Sequence, residues 1–87
     1  MITSPDAWQF SGELSFATVP AVINQLYTAA SLPAEIDLQN VTRADSAGLA
    51  LLIELRKLTK RKPVTFRHLP DQLLSLAAVY GVKELLQ

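Results

Sequence analysis

Apolar residues recur along this chain with two different periods. Over Ala7 to Leu14 (AWQFSGEL) they alternate, with Trp8, Phe10 and Leu14 set against Gln9, Ser11 and Glu13 and with Gly12 as the weak position, which predicts a strand. From Phe16 to Ala30 the period lengthens, and Val19, Val22, Ile23, Leu26 and Ala30 form a helical stripe. Thr18 is the expected N-cap, because Pro20 is tolerated in a first turn and would break an interior one. Pro33 closes that region, and Ala34 to Leu38 (AEIDL) predicts a short strand with Ile36 and Leu38 on one face.

The next stretch, NVTRADSAGLALLIELRKL (Asn40 to Leu58), begins polar and turns almost wholly apolar after Asp45 and Ser46. It predicts a helix from about Ala47 to Lys60. Drawn at 100° per residue, Leu51, Leu52, Leu55 and Leu58 share an arc of about 120°, wide enough for a core face. Leu49 and Ile53 fall outside that arc, in line with Arg56 and Lys60 and beside Lys57. The outer face is therefore expected to be apolar near its N-terminus and basic near its C-terminus. Either Leu49 and Ile53 are covered by the domain's own loops, or, the reading preferred, they form a small exposed patch of the kind that marks a binding surface. Asp45 or Ser46 would cap the helix by accepting from free backbone N–H groups.

Lys62-Pro63 stops this helix, and Val64 to Leu69 (VTFRHL) predicts another strand with Val64, Phe66 and His68 on one face. Pro70 begins a last helix carrying Leu73, Leu74, Leu76, Ala77 and Tyr80, with Gly81 placed as its C-terminal stop. Leu85 and Leu86 indicate that the tail docks. Strands alternating with helices imply crossover connections and an α/β fold: a small, largely parallel sheet with helices packed mainly on one face. Only Met1 to Asp6 precede the first strand, which leaves it an expected free edge.

Composition narrows the function. With 87 residues, about half of them apolar, one domain over 1–87 with one core is expected. Eight lysines and arginines balance eight aspartates and glutamates, so no net charge draws the chain to nucleic acid or to an anionic membrane. The absence of cysteine excludes disulfides, thiolate metal sites and a cysteine nucleophile, and fits a cytoplasmic setting. No apolar run reaches the roughly 18 residues of a membrane span, and MITSPDAW lacks the features of a signal peptide. A role at a membrane would need another chain to hold this one there.

Catalysis finds little support. Asp45, Ser46 and His68 contain the residue types of a triad, but a nucleophile elbow needs glycine on both sides of the serine, and Arg43-Ala44-Asp45-Ser46-Ala47-Gly48 supplies only the later one. One histidine without cysteine makes no metal site, and glycines at 12, 48 and 81 alone build no phosphate-binding loop. No cofactor or metal is expected. The basic run Arg56, Lys57, Lys60, Arg61, Lys62 lies where cations complement a helix dipole.

Asp45-Ser46-Ala47-Gly48-Leu49 opening an apolar helix after Ile36-Asp37-Leu38 and Val41 resembles the signature of STAS domains, the family of anti-sigma-factor antagonists and sulfate-transporter tails. Phe10-Ser11-Gly12-Glu13-Leu14 is similar to an early strand end of that family, with Ser15 where an acidic residue is common. Within the family, the chain most resembles the small STAS subunits of Mla-type phospholipid-transport ABC complexes, also through Leu76-Ala77-Ala78-Val79-Tyr80. The resemblance implies a non-enzymatic subunit that binds and regulates the transporter ATPase, peripheral to the inner membrane through that partner, in a system that maintains outer-membrane lipid asymmetry.

It also implies site roles at the head of the second helix: Ser46 as polar contact, Leu49 and Ile53 as apolar anchor, Arg56, Lys57 and Lys60 as charged rim, and Asp45 holding the turn. Kinase-regulated antagonists carry a hydroxyl immediately before the glycine, where this chain has Ala47. Ser46 matches the preceding hydroxyl, a threonine at the ATPase contact in the lipid-transport branch. The alternative reading is an anti-sigma-factor antagonist that binds a serine kinase through the same helix; a third is a module binding nucleotide or lipid.

Overall fold

The computed structural model describes residues 7–29 and 32–86. Its elements are β1 (Ala7–Leu14), α1 (Val19–Thr28), β2 (Glu35–Ala44), α2 (Ser46–Leu58), β3 (Thr65–Arg67) and α3 (Asp71–Val79), followed by a 3-10 turn over Lys83–Leu86. The order is the one the hydrophobic periods predict. β2 lies between β1 and β3 and pairs with both in parallel. Among the described residues β1 is thus a sheet edge; Met1 to Asp6, on which the expectation of a free edge also rests, lie outside them.

One face of the sheet carries the core. Trp8, Phe10, Ile36, Leu38 and Phe66 are buried there against Val22 and Leu26 of α1, Leu49, Leu52 and Leu55 of α2, and Leu73 and Ala77 of α3. Burying a side chain of this size contributes about 1.5 to 3 kcal/mol, so the parallel sheet is held by what lies on that single face. The strand positions in between are polar and less buried: Gln9, Glu35, Asp37 and Arg67. There Arg67 and Glu35 form a 3.0 Å ion pair.

β2 is longer than predicted because its pairing with β1 slips twice, between Gln9 and Ser11 and between Gly12 and Glu13. Each slip adds a residue to β2, which destroys the period of two over Gln39 to Arg43 while leaving the strand paired. β3 is shorter than predicted. The chain turns at His68, whose φ of 57° is left-handed and ends the strand, so His68 is exposed and does not share the buried face of Val64 and Phe66.

Thr18 precedes α1 as expected, with Pro20 in the first turn, but its hydroxyl does not cap the helix. It donates to the Glu13 carbonyl at 2.7 Å and accepts from Ser15 N–H at 2.9 Å, bracing the β1–α1 loop. Ala30, the last predicted position of that helical stripe, lies outside the described residues. Gly81 ends α3 with φ 71°, where its N–H donates to the Ala78 carbonyl and the Val82 N–H to that of Ala77. This paired closure of a helix favours glycine, which meets no side-chain cost at positive φ. Of the two tail leucines Leu86 is buried and Leu85 is exposed.

Candidate functional site

The head of α2 is fixed from three sides. Asp45, in extended backbone, accepts through Oδ1 from the N–H groups of Ala47 at 2.8 Å and Gly48 at 3.4 Å, which caps the helix. Its Oδ2 accepts from Phe16 N–H at 3.3 Å, tying the cap to the β1–α1 loop. Its own N–H donates to the Leu14 carbonyl at 3.3 Å, and the preceding Ala44 N–H donates to Gln72 Oε1 of α3 at 3.0 Å. Gly48 permits the closest approach of all: a Cβ there would stand 2.6 Å from the Leu14 carbonyl oxygen. Asp45 therefore holds the turn, and Ser46, first residue of the helix, stays exposed.

One expected anchor residue, Leu49, and one expected core residue, Leu58, lie elsewhere than the wheel puts them. Leu49 is buried, only 3% exposed, in the core with Leu52 and Leu55, and so cannot anchor a partner; Leu58, expected in the core, is 40% exposed. The buried arc runs from Leu51 through Leu52 to Leu49, so the wheel was centred too far toward Leu58. α3 and the tail turn both pack against α2, contacts that a wheel of one helix does not represent. Ile53 is half-buried and packs against the core.

Of the expected cationic rim, Arg56 is already engaged. Its Nε donates to the Val64 carbonyl at 2.9 Å and its guanidinium lies 4.9 Å from the centre of the Phe66 ring. Lys57 and Lys60 are exposed. At the foot of α2 the buried Thr59 hydroxyl donates to the Leu55 carbonyl at 2.6 Å and accepts from Val64 N–H at 3.1 Å, turning the chain toward β3.

No triad is assembled from Asp45, Ser46 and His68. His68 Nδ1 is 3.0 Å from Asp37 Oδ1, near the start of β2, whereas Asp45 and Ser46 follow its far end. About 20 Å of strand separates them. The backbone N–H of Gln39, aided by His68, holds the Asp37 carboxyl below the ordinary aspartate range, as expected of a carboxylate that accepts hydrogen bonds in its charged form. Among the described residues no group of three or more histidines and carboxylates could hold a metal ion, and no helix is long and apolar enough to cross a membrane.

What the site offers instead is surface. On one flank of α2, Ser46 adjoins Ser75, Leu76, Val79 and Tyr80 of the α3 region in an open depression, with Val79 80% and Tyr80 60% exposed. On the other flank a groove of about 630 Å³ runs between α1 and α2, lined by Val19, Ile23 and Leu51 and edged by Phe16, Tyr27 and Leu58. Phe16 and Tyr27 are 76% and 67% exposed. Sequence reasoning missed both surfaces. It listed Tyr80 with Leu73, Leu74, Leu76 and Ala77 on the last helix without separating a buried from an exposed face, and only Leu73 and Ala77 of α3 are buried. A signal for the second surface was present: residues 14–34 contain no charged side chain, which is unusual for a helix with a solvent face.

A family model described as "Mlab, STAS domain" matches residues 5–87. No curated protein matches the chain. Among solved structures, a sulfate transporter family protein from Wolinella succinogenes is similar with a TM-score of 0.70 at 16% sequence identity, over 94% of this chain and 70% of that one. At that identity the likeness speaks for the fold alone.

Proposed function

The chain belongs to the STAS domain family, and from that premise we propose that it is a non-enzymatic docking subunit for the ATPase of an Mla-type phospholipid-transport ABC complex. The observation that carries this reading is the exposed apolar patch of Val79 and Tyr80 beside the Ser46 hydroxyl. A patch of this kind, with aromatic and aliphatic groups around one polar contact, is what a protein partner desolvates. The Mla branch is supported by the description of the matching family model and by Ala47, which stands where kinase-regulated members carry a hydroxyl.

In this reading Ser46 makes the polar contact, Val79 and Tyr80 replace Leu49 as apolar anchors, Ile53 and Leu76 extend the patch, and Lys60 lies at its rim. Asp45 and Gly48 act indirectly, by fixing where Ser46 stands. Such a subunit regulates the ATPase by binding one of its arrangements more tightly than another.

The test is co-purification with the ATPase encoded beside this chain, followed by titration of surface variants. Val79→Asp and Tyr80→Asp are expected to weaken binding by about a hundredfold and Ser46→Ala by about tenfold, the range of hot-spot and hydrogen-bond losses. Unchanged affinity in all three, with each variant folded by circular dichroism, overturns the assignment. Phosphate transferred to Ser46 by a serine kinase encoded nearby would favour the antagonist reading instead.

A further inference from the structure

The basic run at the foot of α2 is left unused by the proposed ATPase patch, except for Lys60 at its rim. Between Glu54 and Asp71 the chain carries six lysines and arginines and no carboxylate, whereas the remaining residues carry two against eight. The neutral total therefore conceals a segregation of charge. Of the six, Arg56 is turned inward onto Val64 and Phe66, and Arg67 is paired with Glu35. Lys57, Lys60, Arg61 and Lys62 are exposed, and among the described residues none of the four belongs to an ion pair or makes a side-chain hydrogen bond. Compensation of the helix dipole accounts for Lys57, in the last turn, and fades beyond it, so Arg61 and Lys62 need another reason.

We infer that this end of the molecule rests on a bilayer of anionic phospholipid. Three observations select a bilayer. No side-chain bond fixes the geometry of the four cations, and three of them are lysines, point charges suited to mobile headgroups; a discrete phosphate or carboxylate is gripped instead by guanidinium groups held in place. Apolar surface adjoins the cations: Lys60, Arg61 and Lys62 border an open depression shared with Leu32 and Leu58, and Leu58, itself exposed, leads on to the exposed Tyr27. An aliphatic group and a tyrosine beside lysines compose a surface that lies at a headgroup boundary. A flat anionic surface, finally, meets one end of the molecule alone, whereas a nucleic acid strand running past the foot would meet the acidic remainder of the chain. α2 is 13 residues long, about 20 Å, so Ser46 at its head is free to hold the ATPase while the foot lies on lipid. Four cations give a weak, salt-sensitive contact, which orients a subunit that its partner brings to the membrane and does not anchor it there.

Co-sedimentation of the full chain with phosphatidylcholine vesicles, with or without about two-fifths phosphatidylglycerol, tests this. Binding is expected to the mixed vesicles only, and it should fall as salt rises. Lys57→Gln, Arg61→Gln and Lys62→Gln should each weaken it about fivefold and the triple variant about a hundredfold, the effect of single charges near such a surface. Arg61→Lys should stay within about twofold of the parent, because charge and not the guanidinium fork is read. Arg43→Gln, which removes an exposed cation from the far end of β2, should also stay within about twofold. Lys60 is unaltered in every variant, since it also borders the ATPase patch. No binding at low salt overturns the inference, as does equal binding to the uncharged vesicles or a loss with Arg43→Gln as large as with Lys62→Gln. Displacement by inorganic phosphate at constant ionic strength overturns it in favour of a discrete anion site, and tighter binding to a single-stranded oligonucleotide in favour of nucleic acid. ATPase docking holds or fails on its own: Val79→Asp should abolish capture of the ATPase in detergent and leave vesicle binding intact. The triple variant should do the reverse, and its failure to capture the ATPase would assign the foot to that partner instead of to lipid.

Discussion

At the head of α2 the ties are made by backbone contact, one short carboxylate and the Gln72 amide that accepts from Ala44 N–H; at its foot they are made by a hydroxyl and a long guanidinium. The head leaves no slack. Gly48 rests against the Leu14 carbonyl with no room for a methyl group, and Asp45 links three chain segments at once. The foot reaches its neighbours through side chains, Thr59 to Leu55 and Val64, and Arg56 to Val64 and the Phe66 ring. Side chains can re-aim by rotating, whereas two backbones in contact can separate only by moving a whole element. The difference fits the proposed roles, since Ser46 at the head must be presented in one place, whereas the foot returns the chain to the sheet.

Gly48→Ala is the most severe way to break this contrast. Its Cβ would displace either α2 or the end of β1, at a cost of about 3 kcal/mol as overpacking against backbone. The midpoint of urea unfolding should fall with little change in slope, and ATPase affinity should fall with it because Ser46 shifts. Thr59→Val keeps the shape at the foot but strands the buried N–H of Val64, for about 2 kcal/mol. Here ATPase affinity should hold. If Thr59→Val weakens docking as much as Gly48→Ala, the head is not special and the contrast fails.

Next in size is Asp45→Ala, at about 1 to 2 kcal/mol, since it removes a cap and the link to Phe16 together. The contrast sharpens if Asp45→Asn recovers most of the loss, because an amide oxygen can still accept from Ala47 and Gly48. Hydrogen exchange at those two amides would report the cap directly.

The order of elements and the single covered face of the sheet were readable from period alone, because Trp8, Phe10, Ile36 and Leu52 obey their local alternation and are buried. Asp45 was readable as a cap for the same reason: its partners lie within three residues. Contacts set by distant parts of the chain were not. Leu49 is buried in the core, and Leu58 is exposed beside the open groove; neither follows from a wheel of α2. Gly48 read as part of a motif, but its reason, the Leu14 carbonyl, lies 34 positions earlier. The length of β2 was hidden by two slips in register, and the end of β3 by one left-handed residue at His68.

The smallest effects separate the cations at the foot, which sequence had grouped as one rim. Arg56→Ala should cost about 1 kcal/mol, from the lost bond to Val64 and the lost stacking on Phe66, and should slow nothing in ATPase association. Lys60→Ala should change stability by less than about 0.5 kcal/mol, as an exposed side chain away from any buried contact. Its effect belongs to encounter rather than folding: a rim charge acts mainly on the association rate, and acts less as salt rises. Stopped-flow mixing with the ATPase at low and high ionic strength would therefore read Lys60→Ala as a slower association at low salt that converges on the parent at high salt. Equal rates at both salts would remove Lys60 from the rim, and would leave the proposed docking surface resting on Ser46, Val79 and Tyr80 alone.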